Sequence, residues 1–85
     1  MQMSPEDLTQ VRNRLRRAQG QLDAVIRAID SGAECQEMVT QVAACSKAIQ
    51  RAGFLLVATG MRQCVTTAGG EDELAGLEKT LLSLA

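Results

Sequence analysis

Two cysteines, Cys35 and Cys64, are the side chains best suited to chemistry in this chain of 85 residues, which contains no histidine. Both fall on one predicted helix. At about 1.5 Å rise and 100° turn per residue, they lie on nearly the same helix face but about 43 Å apart. If two such helices pack antiparallel about a two-fold axis near Ile49 and Gln50, Cys35 faces the partner's Cys64. A dimer would then carry two identical thiol pairs.

Such a thiol pair has few chemical options. Free backbone N–H groups at a helix N-terminus would stabilise a Cys35 thiolate. Thiol redox chemistry needs only a reactive cysteine and a resolving one. Zinc needs more ligands than two thiolates, imidazole-rich nickel or cobalt sites are excluded, and only a soft, low-coordinate ion such as Cu(I) remains. Spacing alone also fits two cysteines that merely pack at the ends of a dimer seam.

The remaining residues narrow the class of protein. Cys45 lies in the apolar stripe of the same helix, and we expect a buried core thiol that faces Phe54 of the partner in the antiparallel register. Three cysteines are an odd set and argue against a disulfide framework. We expect a cytoplasmic protein without membrane contact, because the sequence shows neither a signal peptide nor an apolar run of about 20 residues. No histidine, phosphate loop or paired catalytic carboxylates are present, so we expect no enzyme.

The elements that must position the thiols are helices. Only one residue is aromatic, and Ala, Leu, Val, Met and Gln dominate, which favours helices over strands. Ser4 as N-cap and Pro5 as first residue predict a helix over 5–30. Ser31 and Glu34 match a capping box that opens a helix over 32–66, and acidic residues predict a third helix over 71–84. We therefore predict a single all-α domain over residues 1–85.

Heptad spacing along the first two helices predicts self-association. Apolar residues recur at alternating spacings of three and four, which is typical of helices that pack lengthwise. A helix of more than 30 residues is too long for a small monomer, and Gly53 and Gly60 within it mark close contacts or a kink. The two stripes are Leu8, Val11, Leu15, Ala18, Leu22, Val25 and Ile29, and Cys35, Met38, Val42, Cys45, Ile49, Ala52 and Leu56.

Charge is unevenly distributed along the chain. The net charge is −1, yet residues 9–29 contain five arginines and one acidic residue, whereas residues 71–78 contain four acidic residues and no base. A basic stretch on an acidic body is either a solvated helix face or a footprint for nucleic acid.

Several segments together resemble the copper-sensitive operon repressor family (CsoR/RcnR). They are RLRRAQGQL at 14–22, a cysteine that opens the second helix, TQV at 40–42, KA at 47–48 and MRQCV at 61–65. The resemblance covers nearly the whole chain. It implies a three-helix protomer, an antiparallel homodimer with a four-helix core, and a disc-shaped dimer of dimers that represses transcription on operator DNA. The DNA-binding residues that it implies are Arg12, Arg14, Arg16, Arg17, Lys47 and Arg51.

The chain departs from the copper sensors of that family at one ligand. Those members bind Cu(I) through a cysteine at the position of Cys35 and, from the partner, a histidine and a cysteine four residues apart, which here are Gly60 and Cys64. A cysteine pair without the histidine is similar to the persulfide-sensing (CstR-like) branch, in which sulfane sulfur joins the two cysteines across the dimer. We expect a repressor whose inducer is a reactive sulfur species, persulfide or polysulfide. The alternatives are a Cu(I) sensor that uses the same two cysteines, a purely structural helical assembly, and a sulfur carrier that does not bind DNA.

Overall fold

The computed structural model of the chain describes residues 2–85, which form three α-helices and no strand. They are α1 (Thr9–Asp30), α2 (Cys35–Thr66) and α3 (Glu71–Leu84). The all-α, three-helix fold predicted from the sequence is confirmed. The protomer is a flat slab whose Cα atoms span 54 × 25 × 12 Å. Within residues 2–85, no helix has the length and apolar character needed to cross a membrane.

The start of α1 differs from the prediction. Ser4 does cap the first turn, because its hydroxyl accepts a hydrogen bond from the Asp7 N–H at 3.2 Å. However, the Leu8 N–H donates to the Pro5 carbonyl at 3.2 Å and the Thr9 N–H to the Glu6 carbonyl at 3.4 Å, both across three residues. Residues 5–8 are thus tight turns of 3₁₀ type, and the regular helix begins at Thr9 rather than at residue 5.

The capping box predicted at Ser31 and Glu34 is wrong, because Ser31 serves α1 instead. The Ala33 N–H donates to the Ala28 carbonyl at 2.9 Å, and the Gly32 N–H donates to the Ile29 carbonyl at 3.2 Å. This is a Schellman motif, and Gly32 supplies the left-handed residue that it needs, with φ of 72°. The chain then extends through Glu34, so α2 begins at Cys35 and not at residue 32.

Small side chains bring α1 and α2 close together. The buried residues of α1 are Val11, Ala18, Val25 and Ala28, and the residues of α2 buried along its first two thirds are Cys45 and Ala52. Apart from Ala28, they belong to one row of each heptad stripe. The core of the hairpin therefore uses only half of the apolar residues that the two stripes provide.

The third helix packs only on the C-terminal half of α2. Leu74, Leu77, Leu81 and Leu84 are half-buried, as their predicted common face requires. The Leu84 side chain lies so close to Gly53 that a Cβ atom there would meet its methyl groups at 3.2 Å, which confirms Gly53 as a close contact. Among the described residues α1 and α3 do not pack against each other. Consequently α2 is the central element of the slab.

One side of the α1–α2 hairpin remains uncovered, and we call it the apolar face. It is the second row of both heptad stripes, and its side chains are between 39 and 61% exposed. Its residues are Leu15, Leu22 and Ile29 of α1 and Val42, Ile49 and Leu56 of α2. A contiguous apolar surface of this kind is a candidate protein–protein interface.

Candidate thiol pair and nucleic-acid interface

Cys35 occupies the first position of α2 and is exposed. The first hydrogen bond of the helix runs from the Met38 N–H to the Glu34 carbonyl at 3.1 Å. The N–H groups of Cys35, Gln36 and Glu37 precede that bond and have no carbonyl partner within the helix. This thiol therefore meets solvent at the positive end of the helix dipole, as the sequence predicted.

Cys64 lies in the last turns of α2 and has the opposite environment. Its side chain is only 4% exposed. The turn between α2 and α3 folds back over it, because Gly70 packs directly on the Cys64 carbonyl with no space for a Cβ atom. A cleft of about 330 Å³ still reaches this cysteine, and its other lining residues are Gln2, Gln63, Thr67, Ala68, Gly69, Gly70 and Glu73.

The two cysteines cannot meet within one protomer. They mark the two ends of a helix whose 29 intervening steps span about 43 Å, and no disulfide joins any of the three cysteines within the chain. The α2 residues of the apolar face lie between them in the sequence. If a second copy covers that face in the antiparallel direction, each Cys35 approaches the partner's Cys64. This pairing stays a prediction from sequence.

Cys45 is a core thiol, as predicted. Its side chain is 5% exposed, and its S–H group donates to the Ala18 carbonyl of α1 at 3.6 Å. Its juxtaposition with Phe54 of a partner stays a prediction, because Cys45 also borders the apolar face beside Val42 and Ile49. Cys45 belongs to the row that the protomer buries itself, and the heptad pattern alone does not distinguish that row from the exposed one.

A basic groove lies on the side of the hairpin away from the apolar face. Arg14 and Arg17 of α1 line it together with Arg51 of α2, and Ala48 leaves room between the helices. These guanidinium groups are exposed, and no carboxylate within residues 2–85 forms an ion pair with them. Three unneutralised cations around one groove form a surface suited to a phosphate backbone.

The other predicted DNA-binding residues are not part of this groove. Arg12 and Arg16 line a separate groove that borders the apolar face, beside Leu8, Leu15 and Leu56. Lys47 is exposed and lines neither groove. The structure thus brings together three of the six predicted residues, and the DNA-binding role of all six remains a prediction.

Amide side chains on the basic side also line these grooves, although they were not among the predicted DNA-binding residues. Gln21 lines the groove of Arg14 and Arg17, and Gln10 and Asn13 line an adjoining one with the same two arginines. The signal was available, since residues 10, 14, 17 and 21 follow the three-and-four spacing of one helix face. These amides add hydrogen-bonding groups to a surface that otherwise offers only charge.

The donor set for a metal is sparse. Residues 2–85 contain no group of three histidine, cysteine or acidic side chains that could hold an ion within the protomer. Gly60 is buried one turn before Cys64, where an i and i+4 pair would share a face, and it offers no donor atom. The chain lacks imidazole altogether. These residues do not fit an imidazole-rich nickel site, whereas two thiolates from different protomers fit only a soft, low-coordinate ion.

This combination of a helical hairpin, an apolar face, a basic face and end-placed thiols defines a small helical regulator. A family model described as metal-sensitive transcriptional repressor matches residues 7–83. The chain belongs to this family.

Several proteins are similar to this chain. The copper-sensing transcriptional repressor CsoR of Mycobacterium tuberculosis (strain ATCC 25618 / H37Rv) is 30% identical over 56 residues, which are 66% of this chain and 47% of that protein. CsoR of Mycobacterium ulcerans (strain Agy99) is 32% identical over 56 residues, 66% of this chain and 48% of that protein. The match thus spans about half the length of these relatives. The nickel-responsive transcriptional regulator InrS has a similar solved structure, with 28% identity, a TM-score of 0.65, and coverage of 99% of this chain and 91% of that one.

Proposed function

We propose that this protein is a transcriptional repressor that binds operator DNA as a homotetramer and releases it when a reactive sulfur species joins Cys35 to the partner's Cys64. The observation that carries the proposal is the arrangement along α2. An exposed thiol begins the helix, a buried thiol lies near its end, and an uncovered apolar face separates them. An antiparallel partner on that face would bring unlike thiols together at both ends.

The two environments suit two different roles. Cys35 is accessible, so its thiolate attacks the outer sulfur of a persulfide donor, RSSH. The donor's S–S bond breaks, RS⁻ leaves, and Cys35 becomes a persulfide. Cys64 of the partner subunit is buried and less accessible to external donors than Cys35, so it acts as the resolving thiol.

Resolution completes the bridge without an external oxidant. The thiolate of the partner's Cys64 attacks the inner sulfur of the Cys35 persulfide and expels HS⁻, which leaves a disulfide. The sulfane sulfur is reduced to sulfide while the two cysteines are oxidised. If Cys35 has first received two sulfur atoms, attack on the middle sulfur expels HS⁻ and leaves a trisulfide.

The bridge and the DNA surface share the same two helices. Arg51 lies on α2 between the two cysteines, and Arg14 and Arg17 lie on α1, which packs along that part of α2. A covalent link at the helix ends favours the tetramer conformation in which the ends are drawn together. In that conformation the arginines of different protomers are no longer spaced to match the phosphates of one operator.

Copper sensing is the second candidate, and the identity to copper-sensing repressors favours it. In that case Cys35 and the partner's Cys64 would be the ligands, because two thiolates suffice for Cu(I). Bound Cu(I) would supply a link between protomers at the same point. The missing imidazole makes this site poorer in ligands than a three-coordinate one.

Anaerobic fluorescence anisotropy with labelled DNA from the protein's own upstream region tests both candidates. The reduced protein should bind, and its affinity should fall steeply between 50 and 200 mM salt, typical conditions for such titrations. Sodium tetrasulfide should release the wild-type protein, whereas the Cys64→Ala variant should bind DNA equally well but stay bound. Cys45→Ala is the matched control and should respond like wild type.

Two results would contradict the proposal. A folded, reduced protein that fails to bind this DNA at low salt would refute the repressor function. Release by one equivalent of Cu(I) per thiol pair, with no response to tetrasulfide, would replace sulfur sensing by the copper candidate.

A further inference from the structure

Gly20 lies in the middle of α1, where nothing inside the protomer requires a glycine. It is exposed, and a Cβ atom built at this position would meet no atom within 4 Å. Its backbone is ordinary right-handed helix, since among residues 2–85 only Gly32 and Gly69 have positive φ. Neither packing nor conformation within the described residues therefore requires glycine there.

A glycine in a helix interior has a measurable cost. Relative to alanine it lowers the equilibrium constant for helix formation roughly fivefold. Gly53 contrasts with Gly20, because Leu84 occupies the space beside it. What Gly20 provides is a flat strip of helix backbone, which lets another molecule approach α1 more closely than any side chain would allow.

The charges around Gly20 indicate what that molecule is. Arg16 and Arg17 precede it by four and three residues and therefore lie one turn away on the same side of α1. Asp23 lies one turn in the other direction, about 60° around the helix from Gly20 on the side of Arg16 and about 120° from Arg17, so the Arg17 side of Gly20 is the more basic one. Arg17 and Arg14 line the basic groove next to this strip.

We infer that Gly20 is the point of closest approach between α1 and the sugar–phosphate backbone of DNA. This inference rests on the proposed DNA-binding function. A phosphodiester that lies against the helix backbone at Gly20 is bracketed by the guanidinium groups of Arg16 and Arg17, which donate hydrogen bonds to its oxygens. An antiparallel second copy, in which Asp23 would lie opposite Arg17, is the alternative occupant, and the assembly mass of the Gly20→Ala variant distinguishes it from DNA.

A methyl group added at residue 20 should therefore raise the stability of the protein and lower its affinity for DNA. Gly20→Ala should raise the thermal unfolding temperature, because it removes the cost of glycine and meets no neighbour. The same methyl group holds the DNA backbone away and lengthens its hydrogen bonds to arginine. Weakening one such charged hydrogen bond lowers affinity about tenfold.

Gly76 offers a matched control within the same chain. It is also an exposed glycine inside a helix, and a Cβ atom there also meets nothing within 4 Å. It lies on α3, among acidic residues that would repel DNA. Gly76→Ala should therefore raise the unfolding temperature in the same way and leave DNA binding unchanged.

The experiment compares wild type, Gly20→Ala and Gly76→Ala by thermal unfolding, analytical ultracentrifugation and anisotropy with the upstream DNA. The inference is supported if both variants are stabilised, all three proteins assemble alike, and only Gly20→Ala loses about tenfold or more in affinity. Equal affinity of all three overturns the inference but leaves DNA binding intact. An altered assembly mass of Gly20→Ala overturns it by assigning Gly20 to a contact between protomers. Failure of all three to bind refutes the DNA-binding function itself.

Discussion

Ile49→Asp tests the proposed dimer at the centre of the apolar face. Ile49 lies on α2 beside the predicted two-fold axis, and its side chain is 50% exposed in the protomer. In an antiparallel dimer the two Ile49 side chains lie close together and become buried. The substitution therefore acts twice in each dimer and leaves the core of the protomer unchanged.

The expected effect follows from the exposed half of the side chain. Complete burial of an isoleucine side chain is worth up to about 3 kcal/mol, so the half that remains exposed contributes about 1.5 kcal/mol per copy, or about 3 kcal/mol per dimer. Two neighbouring buried carboxylates add a further penalty. The dimer dissociation constant should rise by at least about 100-fold, since each tenfold step corresponds to about 1.4 kcal/mol.

Sedimentation equilibrium over a wide concentration range measures this change directly. Leu82→Asp is the control, because Leu82 is 76% exposed on α3 and lies away from the apolar face. It should assemble like wild type, whereas Ile49→Asp should sediment as a folded monomer. If Ile49→Asp has the assembly mass of wild type, the apolar face is not the interface, and the cross-protomer thiol pair loses its basis.

Three further predictions follow from the described contacts. Cys45→Ala removes the buried sulfur beside the Ala18 carbonyl and should lower the free energy of unfolding by about 1–2 kcal/mol in urea titrations without preventing the sulfur bridge. Arg17→Ala should reduce the slope of log affinity against log salt by about 1, which DNA titrations at several salt concentrations would detect. Gly70→Ala places a Cβ atom against the Cys64 carbonyl oxygen, where there is no space for it, and should destabilise the protein by more than about 2 kcal/mol, whereas an unchanged urea midpoint would contradict this packing.

The sequence predicted all three helices, but it did not predict correctly where α1 and α2 begin. The end of α2 at Thr66 and the bounds of α3 agree with the prediction because glycines and acidic residues mark them. The capping box predicted at Ser31 was wrong because a serine at this position can cap the N-terminus of a following helix or lie at the C-terminus of a preceding one. Gly32 directly after it favours the Schellman motif. In that motif the N–H groups of Gly32 and Ala33 donate to the carbonyls of Ile29 and Ala28, which ends α1.

Periodicity could not predict which residues of each heptad stripe are buried within the protomer. A heptad stripe contains two rows, and the spacing does not say which row packs within the protomer and which remains exposed. Cys45 and Ile49 are one turn apart in one stripe, yet only Cys45 is buried. The arginines, in contrast, divide as helix geometry requires, since Arg16 and Arg17 lie about 100° apart around α1 and line different grooves.

Intact mass spectrometry under non-reducing, anaerobic conditions tests the sulfur-sensing claim most directly. The protein is exposed to sodium tetrasulfide, and Cys64→Ala and a sample without donor serve as controls. We predict a covalent dimer that carries whole additional sulfur atoms relative to a simple disulfide, and that is absent from both controls. A protein that stays monomeric in mass while both cysteines become persulfides, or remain unmodified, would contradict the cross-protomer switch.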